Sequence, residues 1–231
     1  MPDIQEHRFP DAPAAATALA ASIADRLAAA IGQRGTATLV LSGGRSPAAV
    51  FEALRERALP WDKVIVAQVD ERWVPADHAD SNNRLIREHL LQGSASAARF
   101  VPMKNDAATA REGQPACEAA MRALPLPFDA VLLGMGEDGH TASLFPEARE
   151  LQEGLTTQAL TLAVTPPAAP HERMSLSVAG LLHSRALILQ IGGAAKEAVY
   201  REALGTGPVE AMPIRAVLRQ DKVPVDVWIS E

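Results

Sequence analysis

Residues 128–146 read FDAVLLGMGEDGHTASLFP. The apolar first third predicts a buried strand over 128–133, and the glycines that follow predict a loop whose backbone turns sharply and exposes N–H groups. Asp138 and His140 lie in that loop, where a carboxylate close to an imidazole is typical of a general base with an orienting acid. The sequence therefore predicts a strand that ends at a candidate catalytic loop.

The same glycines also fit the dinucleotide-binding pattern G-x-G-x-x-G. That pattern requires a helix directly after the third glycine and a second strand that ends in an acid for the ribose hydroxyls. Pro146 would cut such a helix short, and the next predicted strand, residues 160–165, runs into two prolines without an acid. We therefore predict no dinucleotide site.

Strands and helices alternate along the chain, which predicts an α/β fold with a parallel sheet and helices on both of its faces. The predicted strands cover residues 37–41, 64–69, 99–101, 128–133, 160–165, 174–178, 186–191 and 225–229. The predicted helices cover residues 12–31, 47–58, 82–91, 115–124 and 194–204, with surface loops at 107–113 and 166–170. Ligands of parallel sheets bind at the carboxyl ends of strands, and each glycine loop follows a predicted strand.

Composition limits the class of protein. The chain has 231 residues, of which 48% are apolar and 22% charged, as in a globular protein, and one domain spanning 1–231 is predicted. The net charge of −6 argues against a nucleic-acid partner, since such proteins carry a basic face that neutralises phosphates. The expected partner is a small molecule, and the chain is expected to be a monomer or a small homo-oligomer.

The single cysteine and the N-terminal region indicate a location. Cys117 has no partner for an internal disulfide, which fits a reducing compartment, and it is predicted to fill the core. No apolar span of 18 residues is expected, and Asp3, Glu6 and Asp11 stand where a signal peptide would carry positive charge. The sequence therefore predicts a cytoplasmic protein without a membrane segment.

A second glycine loop, SGGRSP over residues 42–47, follows the first predicted strand, residues 37–41. The helix predicted after it, capped by Ser46, would offer N–H groups and a favourable dipole to an anion. The candidate phosphate-binding residues of this loop are Ser42, Gly43, Gly44, Arg45 and Ser46. The loop lacks the Gly-Lys-Ser/Thr sequence of a nucleoside triphosphate site, and a plain turn is the alternative interpretation.

A charged segment follows the strand predicted at 64–69. Two carboxylates and a guanidinium, those of Asp70, Glu71 and Arg72, would lie at the same edge of the sheet, near Asn83 in the next helix. Such side chains suit sugar hydroxyls and phosphate. The alternative interpretation is a solvated charge cluster.

Two further cations are candidate phosphate ligands. Arg173 precedes the strand predicted at 174–178, and Lys196 lies where Gly192 and Gly193 lead from a strand into a helix. An ammonium at such a helix start can reach a phosphate oxygen. Taken singly, each cation would be interpreted as a solvated surface charge.

Neither a metal site nor a serine nucleophile is indicated. The six histidines show no H-E-x-x-H or H-x-H spacing and have no cysteine partners, so no zinc site and no cofactor are predicted. No G-x-S-x-G segment occurs, and neither Ser42 nor Ser143 is predicted to be a nucleophile.

Taken together, these motifs resemble the 6-phosphogluconolactonase family over most of the chain. The long loop at 134–146 is the specific motif, and the segments at 42–47, 70–75 and 192–196, with Arg173, corroborate it. The resemblance implies a Rossmann-like three-layer α/β fold with a mainly parallel central sheet and no dinucleotide. It also implies the cytosolic second step of the oxidative pentose phosphate pathway, the hydrolysis of 6-phospho-D-glucono-1,5-lactone to 6-phospho-D-gluconate.

Glucosamine-6-phosphate deaminase, of the same superfamily, is the alternative. Its loop resembles G-x-G-x-D-G-H-I-A-F-N-E-P, whereas this chain has Phe145 in place of the glutamate and Arg72 in place of a tyrosine. Isomerisation needs further acid-base groups, while lactone hydrolysis needs one base and one oxyanion stabiliser, so Phe145 favours the lactonase. A sugar-phosphate sensor that kept the fold is a third interpretation, which the intact His140 gives no reason to prefer.

The mechanism expected from this resemblance is metal-free. His140 takes a proton from the water that attacks C1 and returns it to the ring oxygen, with either Asp70 or Asp138 orienting the imidazole. Arg72 either stabilises the oxyanion or holds the substrate. The groups expected to clamp the 6-phosphate are those of Gly43, Gly44, Arg45, Arg173 and Lys196.

Overall fold

The computed structural model describes residues 3–44 and 46–231. Its strands are β1 (Ile4–Phe9), β2 (Ala37–Leu41), β3 (Val64–Gln68), β4 (Asp70–Arg72), β5 (Arg99–Val101), β6 (Ala130–Leu133), β7 (Thr161–Val164), β8 (Arg173–Leu176), β9 (Leu187–Gly192) and β10 (Val225–Ser230). Its α-helices are α1 (Ala12–Arg34), α2 (Ala48–Arg55), α3 (Asn82–His89), α4 (Ala110–Arg122), α5 (Leu151–Thr156), α6 (Val178–Leu182), α7 (Ala194–Leu204) and α8 (Arg215–Leu218).

Seven strands form one sheet in the order β1-β10-β9-β6-β2-β3-β5, and every neighbouring pair in it is parallel. The carboxyl ends of β2, β3, β6 and β9 therefore lie at the same edge of the sheet, together with the loops that follow them. The prediction of an α/β fold with a mainly parallel central sheet is confirmed.

The central strands are buried on both faces, and this makes the fold three-layered. Successive residues of a strand point to opposite faces, so Leu39 and Leu41 of β2 enter one apolar core while Val40 enters the other. The first core is covered by α1, α2 and α3, and the second by α4, α6, α7 and α8. Helices thus cover both faces of the sheet, as the alternation predicted.

Helix α1 corrects one expectation from the sequence. It runs from the Asp11 cap to Arg34, three residues past the predicted end, and it is long and apolar enough to cross a membrane by length and composition. Its stripe of Leu19, Ile23 and Leu27 is buried in the core, as the four-residue spacing predicted. The expectation that no apolar span of this length occurs was wrong, because alanines between the stripe residues make the whole helix apolar.

A second, three-stranded sheet in the order β4-β8-β7 is antiparallel. Two of its strands were predicted, but the alternation pattern did not separate them from the parallel sheet, and Val178 begins α6 because Ser177 caps that helix. This sheet joins the large one where the Leu176 amide donates to the Val69 carbonyl at 2.8 Å. It therefore carries β4 to the edge at which the glycine loops lie.

Helix α4 differs from its predicted bounds, whereas the cysteine on it agrees with the prediction. Helix α4 begins at Ala110 rather than 115, because the Thr109 hydroxyl accepts from the Glu112 amide and caps it, so the loop predicted at 107–113 is partly helical. Cys117 on this helix is buried as predicted, and burial raises the pKa of its thiol to about 12. The thiol is therefore a packing group, not a reactive one.

Candidate functional site

A cleft opens at the carboxyl edge of the parallel sheet, between the loops after β2 and β6, strand β4 and the start of α7. The residues that line it are Ser42, Gly43, Gly44, Asp70, Arg72, Asn82, Gly134, Met135, Gly136, His140, Ala142 and Lys196. An adjoining pocket extends it past Ser46 to Gln190. The structure thus brings together most of the predicted site residues, which came from four separate segments of the chain.

His140 is held by a carboxylate of its own loop. Its Nδ1 lies 2.6 Å from Asp138 Oδ1, and its backbone amide donates to the same oxygen at 3.1 Å. A carboxylate at this distance favours the tautomer with the proton on Nδ1, which leaves the lone pair on Nε2. The side chain is 31% exposed and packs on the Phe145 ring, with centroids 4.5 Å apart. The imidazole is therefore oriented and open to a ligand.

The glycine at 136 is required by the close approach of this pair. A Cβ at Gly136 would lie 2.2 Å from His140 Nδ1 and 2.5 Å from Asp138 Oδ1, closer than real Cβ atoms come to other atoms. The Gly136 amide also donates to the His140 carbonyl at 2.9 Å. The loop is therefore folded tightly around the imidazole.

Asp70 is fixed differently. Its Oδ2 accepts a hydrogen bond of 2.6 Å from the hydroxyl of Ser143, a fully buried residue, and its carbonyl accepts from Asn82 Nδ2 at 2.9 Å. Of the two acids that could orient the imidazole, Asp138 is the one hydrogen-bonded to His140 within the described part of the chain. Asp70 instead presents a carboxylate at another wall of the same cleft.

Glu71 was predicted to lie at this sheet edge with Asp70 and Arg72, but it is a structural part of the site rather than a cleft residue. It is 1% exposed, and it accepts from Gln68 Nε2 at 2.6 Å and from the backbone amides of Asn82 and Asn83 at 2.8 and 2.7 Å. Burial raises the pKa of its carboxyl, and the bonds from Asn82, Gln68 and Asn83 act in the opposite direction. The carboxylate thus fastens the start of α3 to β4, which rules out a solvated cluster at this residue.

Asn82, rather than Asn83, reaches the cleft. A Cβ at Gly43 would lie 1.8 Å from Asn82 Oδ1, so the glycine loop and this amide are packed directly together. The Asn83 side chain turns away and accepts from Arg87 Nε at 2.8 Å on its own helix. Asn83, the residue predicted as a ligand, does not line the cleft, whereas Asn82 does, because one helical step separates the two side chains by about 100°.

The two arginines of the small sheet have different positions. Arg72 lines the cleft and donates through Nη1 to the Asp80 carbonyl. Arg173, opposite it in register, is 6% exposed and donates through Nη1 to the carbonyls of Pro170 and His171 at 2.8 and 3.2 Å. Burial, followed by the nearby Arg72, lowers the pKa of Arg173. Arg173 was predicted as a phosphate ligand, but these bonds engage it in holding a loop outside the cleft.

Several of the phosphate-binding candidates are gathered at one end of the cleft. Lys196 lies in the first turn of α7, where the helix dipole adds positive potential, and it lines both the cleft and its extension. The Ser42 hydroxyl is buried without a hydrogen-bond partner among residues 3–44 and 46–231, so it is available to a ligand. Ser46 lines the extension but makes no cap for α2, contrary to the prediction. Arg45 lies outside the described residues.

Comparisons with known proteins agree with this arrangement. Residues 10–228 match the family model described as glucosamine-6-phosphate isomerases/6-phosphogluconolactonase. The chain is 45% identical over 222 residues to a 6-phosphogluconolactonase from Mesorhizobium japonicum, and this alignment covers 95% of this chain and 92% of the relative. It is 44% identical over 206 residues to a 6-phosphogluconolactonase from Pseudomonas aeruginosa, and that alignment covers 88% of this chain and 87% of the relative. A crystal structure of a 6-phosphogluconolactonase from Shewanella baltica superposes with a TM-score of 0.97 and 46% identity, covering 99% of this chain and 98% of that one.

Proposed function

This chain belongs to the glucosamine-6-phosphate isomerase/6-phosphogluconolactonase family, and from that membership we propose that it hydrolyses 6-phospho-D-glucono-1,5-lactone to 6-phospho-D-gluconate. The observation that carries the proposal is one cleft with an imidazole–carboxylate pair on one wall and a lysine at a helix start on another. The first arrangement suits proton transfer and the second suits a phosphate. The product is an intermediate of the pentose phosphate pathway.

The reaction needs no group beyond those in the cleft. His140 Nε2 takes a proton from water as the water oxygen bonds to C1 of the lactone. The tetrahedral intermediate collapses, the bond from C1 to the ring oxygen breaks, and the imidazolium returns the proton to that oxygen. The new carboxylic acid then loses its proton to solvent, so one water is consumed for each lactone opened.

Each remaining side chain has a role in this proposal. Asp138 holds the Nδ1 proton and stabilises the imidazolium while it exists. Arg72 stabilises the oxyanion that forms at C1, and Asp70 on the same strand binds the sugar hydroxyls. Lys196 and the Ser42 hydroxyl bind the 6-phosphate. We extend the phosphate role to the backbone of Gly43 and Gly44 and, as a sequence-based proposal, to Arg45.

The chain as a whole is proposed to act as one cytoplasmic domain over residues 1–231, as a monomer or small homo-oligomer, on a small molecule rather than on nucleic acid or membrane. One sheet contains both β1 near the N-terminus and β10 near the C-terminus, which supports a single folding unit. Half of the most apolar window of α1 is buried inside the protein, which supports a core helix rather than a membrane span.

The direct test is a coupled assay that follows the loss of freshly prepared 6-phosphogluconolactone, with spontaneous hydrolysis subtracted. Turnover that scales with enzyme concentration is expected. A protein that binds 6-phosphogluconate without accelerating the reaction would be a sensor instead. Ammonia released from glucosamine-6-phosphate at a rate comparable to lactone hydrolysis would make the deaminase the better assignment, against the expectation from Phe145.

Chelation is expected to leave the rate of lactone hydrolysis unchanged, because the proposed chemistry uses a base and fixed cations rather than a metal-bound water. The measurement is kcat after prolonged incubation with EDTA, compared with the same enzyme dialysed without chelator. A loss of activity that returns on addition of zinc or magnesium would contradict the metal-free mechanism.

Replacement of Gly136 by alanine is expected to lower kcat by roughly tenfold or more, because the added Cβ displaces the imidazole and small misplacements of a catalytic group cost up to about 10²-fold. Gly32→Ala is the matched control, since a Cβ there meets nothing within 4 Å and alanine is the better helix former. Steady-state kinetics gives kcat for both variants, and circular dichroism checks that both are folded. Equal kcat in the two variants would contradict the packing argument.

A further inference from the structure

A group of three metal-binding side chains lies outside the catalytic cleft. His78 and Asp80 stand in the segment between β4 and α3, and His171 stands just ahead of β8. One ligand atom from each of the three residues lies within 4.8 Å of those of the other two, and we call this group the rim cluster. The three residues come from two loops that are 91 positions apart in sequence, so the fold itself brings them together.

The distances within the rim cluster suit a metal. Asp80 Oδ2 lies 3.2 Å from His171 Nε2 and 3.9 Å from His78 Nδ1, and the imidazole centroids are 5.3 Å apart in an edge-to-face arrangement. Zinc bonds of 2.0–2.2 Å in a tetrahedron place ligand atoms about 3.4 Å apart. The three ligand atoms lie within 4.8 Å of one another, so side-chain shifts of roughly 1 Å or less would bring all three to bonding positions.

A metal would replace hydrogen bonds that the ligand atoms now make. The Asp80 amide donates to His78 Nδ1 at 3.1 Å, so this nitrogen is unprotonated, and a cation that bound there would take the place of that amide proton. A cation at His171 Nε2 would replace the proton that now faces the carboxylate. The side chains of His78, Asp80 and His171 are 40%, 52% and 30% exposed, so water can complete the coordination.

The backbone beneath the rim cluster is fixed by two arginines. Arg72 donates to the Asp80 carbonyl, and Arg173 donates to the His171 carbonyl. Each guanidinium thus holds the loop that carries one of the ligands, so the two ligand loops are in place before any metal arrives. The two guanidiniums repel a cation, so binding would depend on the neutral imidazoles, whose nitrogens coordinate a metal without needing a negative charge.

We propose that His78, Asp80 and His171 form a binding site for one late first-row divalent cation, of the zinc class, which cross-links the two loops at the rim of the cleft. Two imidazoles and one carboxylate favour zinc, cobalt or nickel over magnesium and calcium, which prefer all-oxygen sites. The site is separate from the proposed hydrolytic chemistry, which proceeds without it.

The test titrates Co²⁺ and Zn²⁺ into the metal-free protein by calorimetry, with the visible spectrum of Co²⁺ reporting nitrogen coordination. One Zn²⁺ per chain is expected, together with a higher Tm, because a ligand that binds only the folded state stabilises it. Mg²⁺ is expected to give no heat. His78→Gln and His171→Asn should each abolish Zn²⁺ binding, and asparagine is chosen because it tolerates the φ of 70° at residue 171.

His89→Ala is the matched control, since His89 pairs with Glu52 away from the cleft, and it should bind Zn²⁺ as the wild type does. Zn²⁺ binding that survives in both rim variants, or that disappears only in His140→Ala, would overturn the proposal. The proposal would also be overturned if the wild type bound no Zn²⁺ while the rim variants had a changed Tm. The three side chains would then stabilise the fold through their hydrogen bonds alone. If either rim variant fails to fold by circular dichroism, Asp80→Asn supplies the same comparison.

Discussion

Replacement of His140 by alanine is expected to lower kcat by about 10²–10⁴-fold, the usual contribution of a general base. The affinity for 6-phosphogluconate should remain nearly unchanged, since the proposed phosphate ligands lie on other loops and the imidazole acts on the transition state. The loss is expected because no other imidazole lines the cleft in the described part of the chain, so nothing there could take over both proton transfers.

The measurement is steady-state kinetics with the spontaneous rate subtracted, alongside calorimetric binding of the product. His183→Ala serves as the matched control, because this exposed histidine ends α6 and does not line the cleft. If His140→Ala kept more than about a third of wild-type kcat, far above what the loss of such a base leaves, the assignment would be untenable.

The fold was most predictable where local pattern and tertiary burial agree. Strand β2 and helix α7 were predicted with their observed bounds, because a continuous apolar run and a glycine-bounded periodic segment each allow one structure. Strand β1 was missed since its sequence, IQEHRF, is half exposed at the edge of the sheet and lacks a full apolar face. Its partner β10 lies at the far end of the chain, which no local pattern reveals.

The site was predictable to the level of loops rather than of side-chain directions. Parallel strands bring their carboxyl ends together, so the loops that carry Gly43, Asp70, His140 and Lys196 had to meet. The direction of Arg173 depends on which carbonyls the neighbouring loop offers, and that is settled only by the antiparallel β4–β8 pair. For the same reason the charge pattern indicated that residues 70–72 belong to the site, but it could not distinguish the buried Glu71 from the half-buried Asp70 and Arg72.

Glu71 illustrates this limit. Its carboxylate caps a helix that begins eleven residues later, whereas capping signals in sequence lie within about four residues of a helix start. In sequence, nothing distinguishes the buried Glu71 from the half-buried charged residues on either side of it. Only the fold, in which β4 passes beneath the start of α3, identifies it as the group that fixes Asn82 against the glycine loop.

Replacement of Lys196 by alanine is expected to weaken binding of 6-phosphogluconate by about 10- to 100-fold, since a charged hydrogen bond contributes about 1.5–3 kcal/mol. Hydrolysis of glucono-1,5-lactone, which lacks the phosphate, should change little, because an interaction with an absent group cannot be lost. The mutation and the phosphate therefore form a double-mutant cycle whose coupling energy measures the contact between Lys196 and the phosphate.

The cycle requires kcat/KM for both lactones with the wild type and the variant. Lys63→Ala is the matched control, because it removes the same charge from an exposed position at the amino end of β3, away from the cleft. Equal losses on both lactones would mean that Lys196 acts on folding or on the reaction centre. A loss confined to the phosphorylated lactone, absent in Lys63→Ala, would place the phosphate at the start of α7 and hence C1 toward His140, because the two residues line the same cleft.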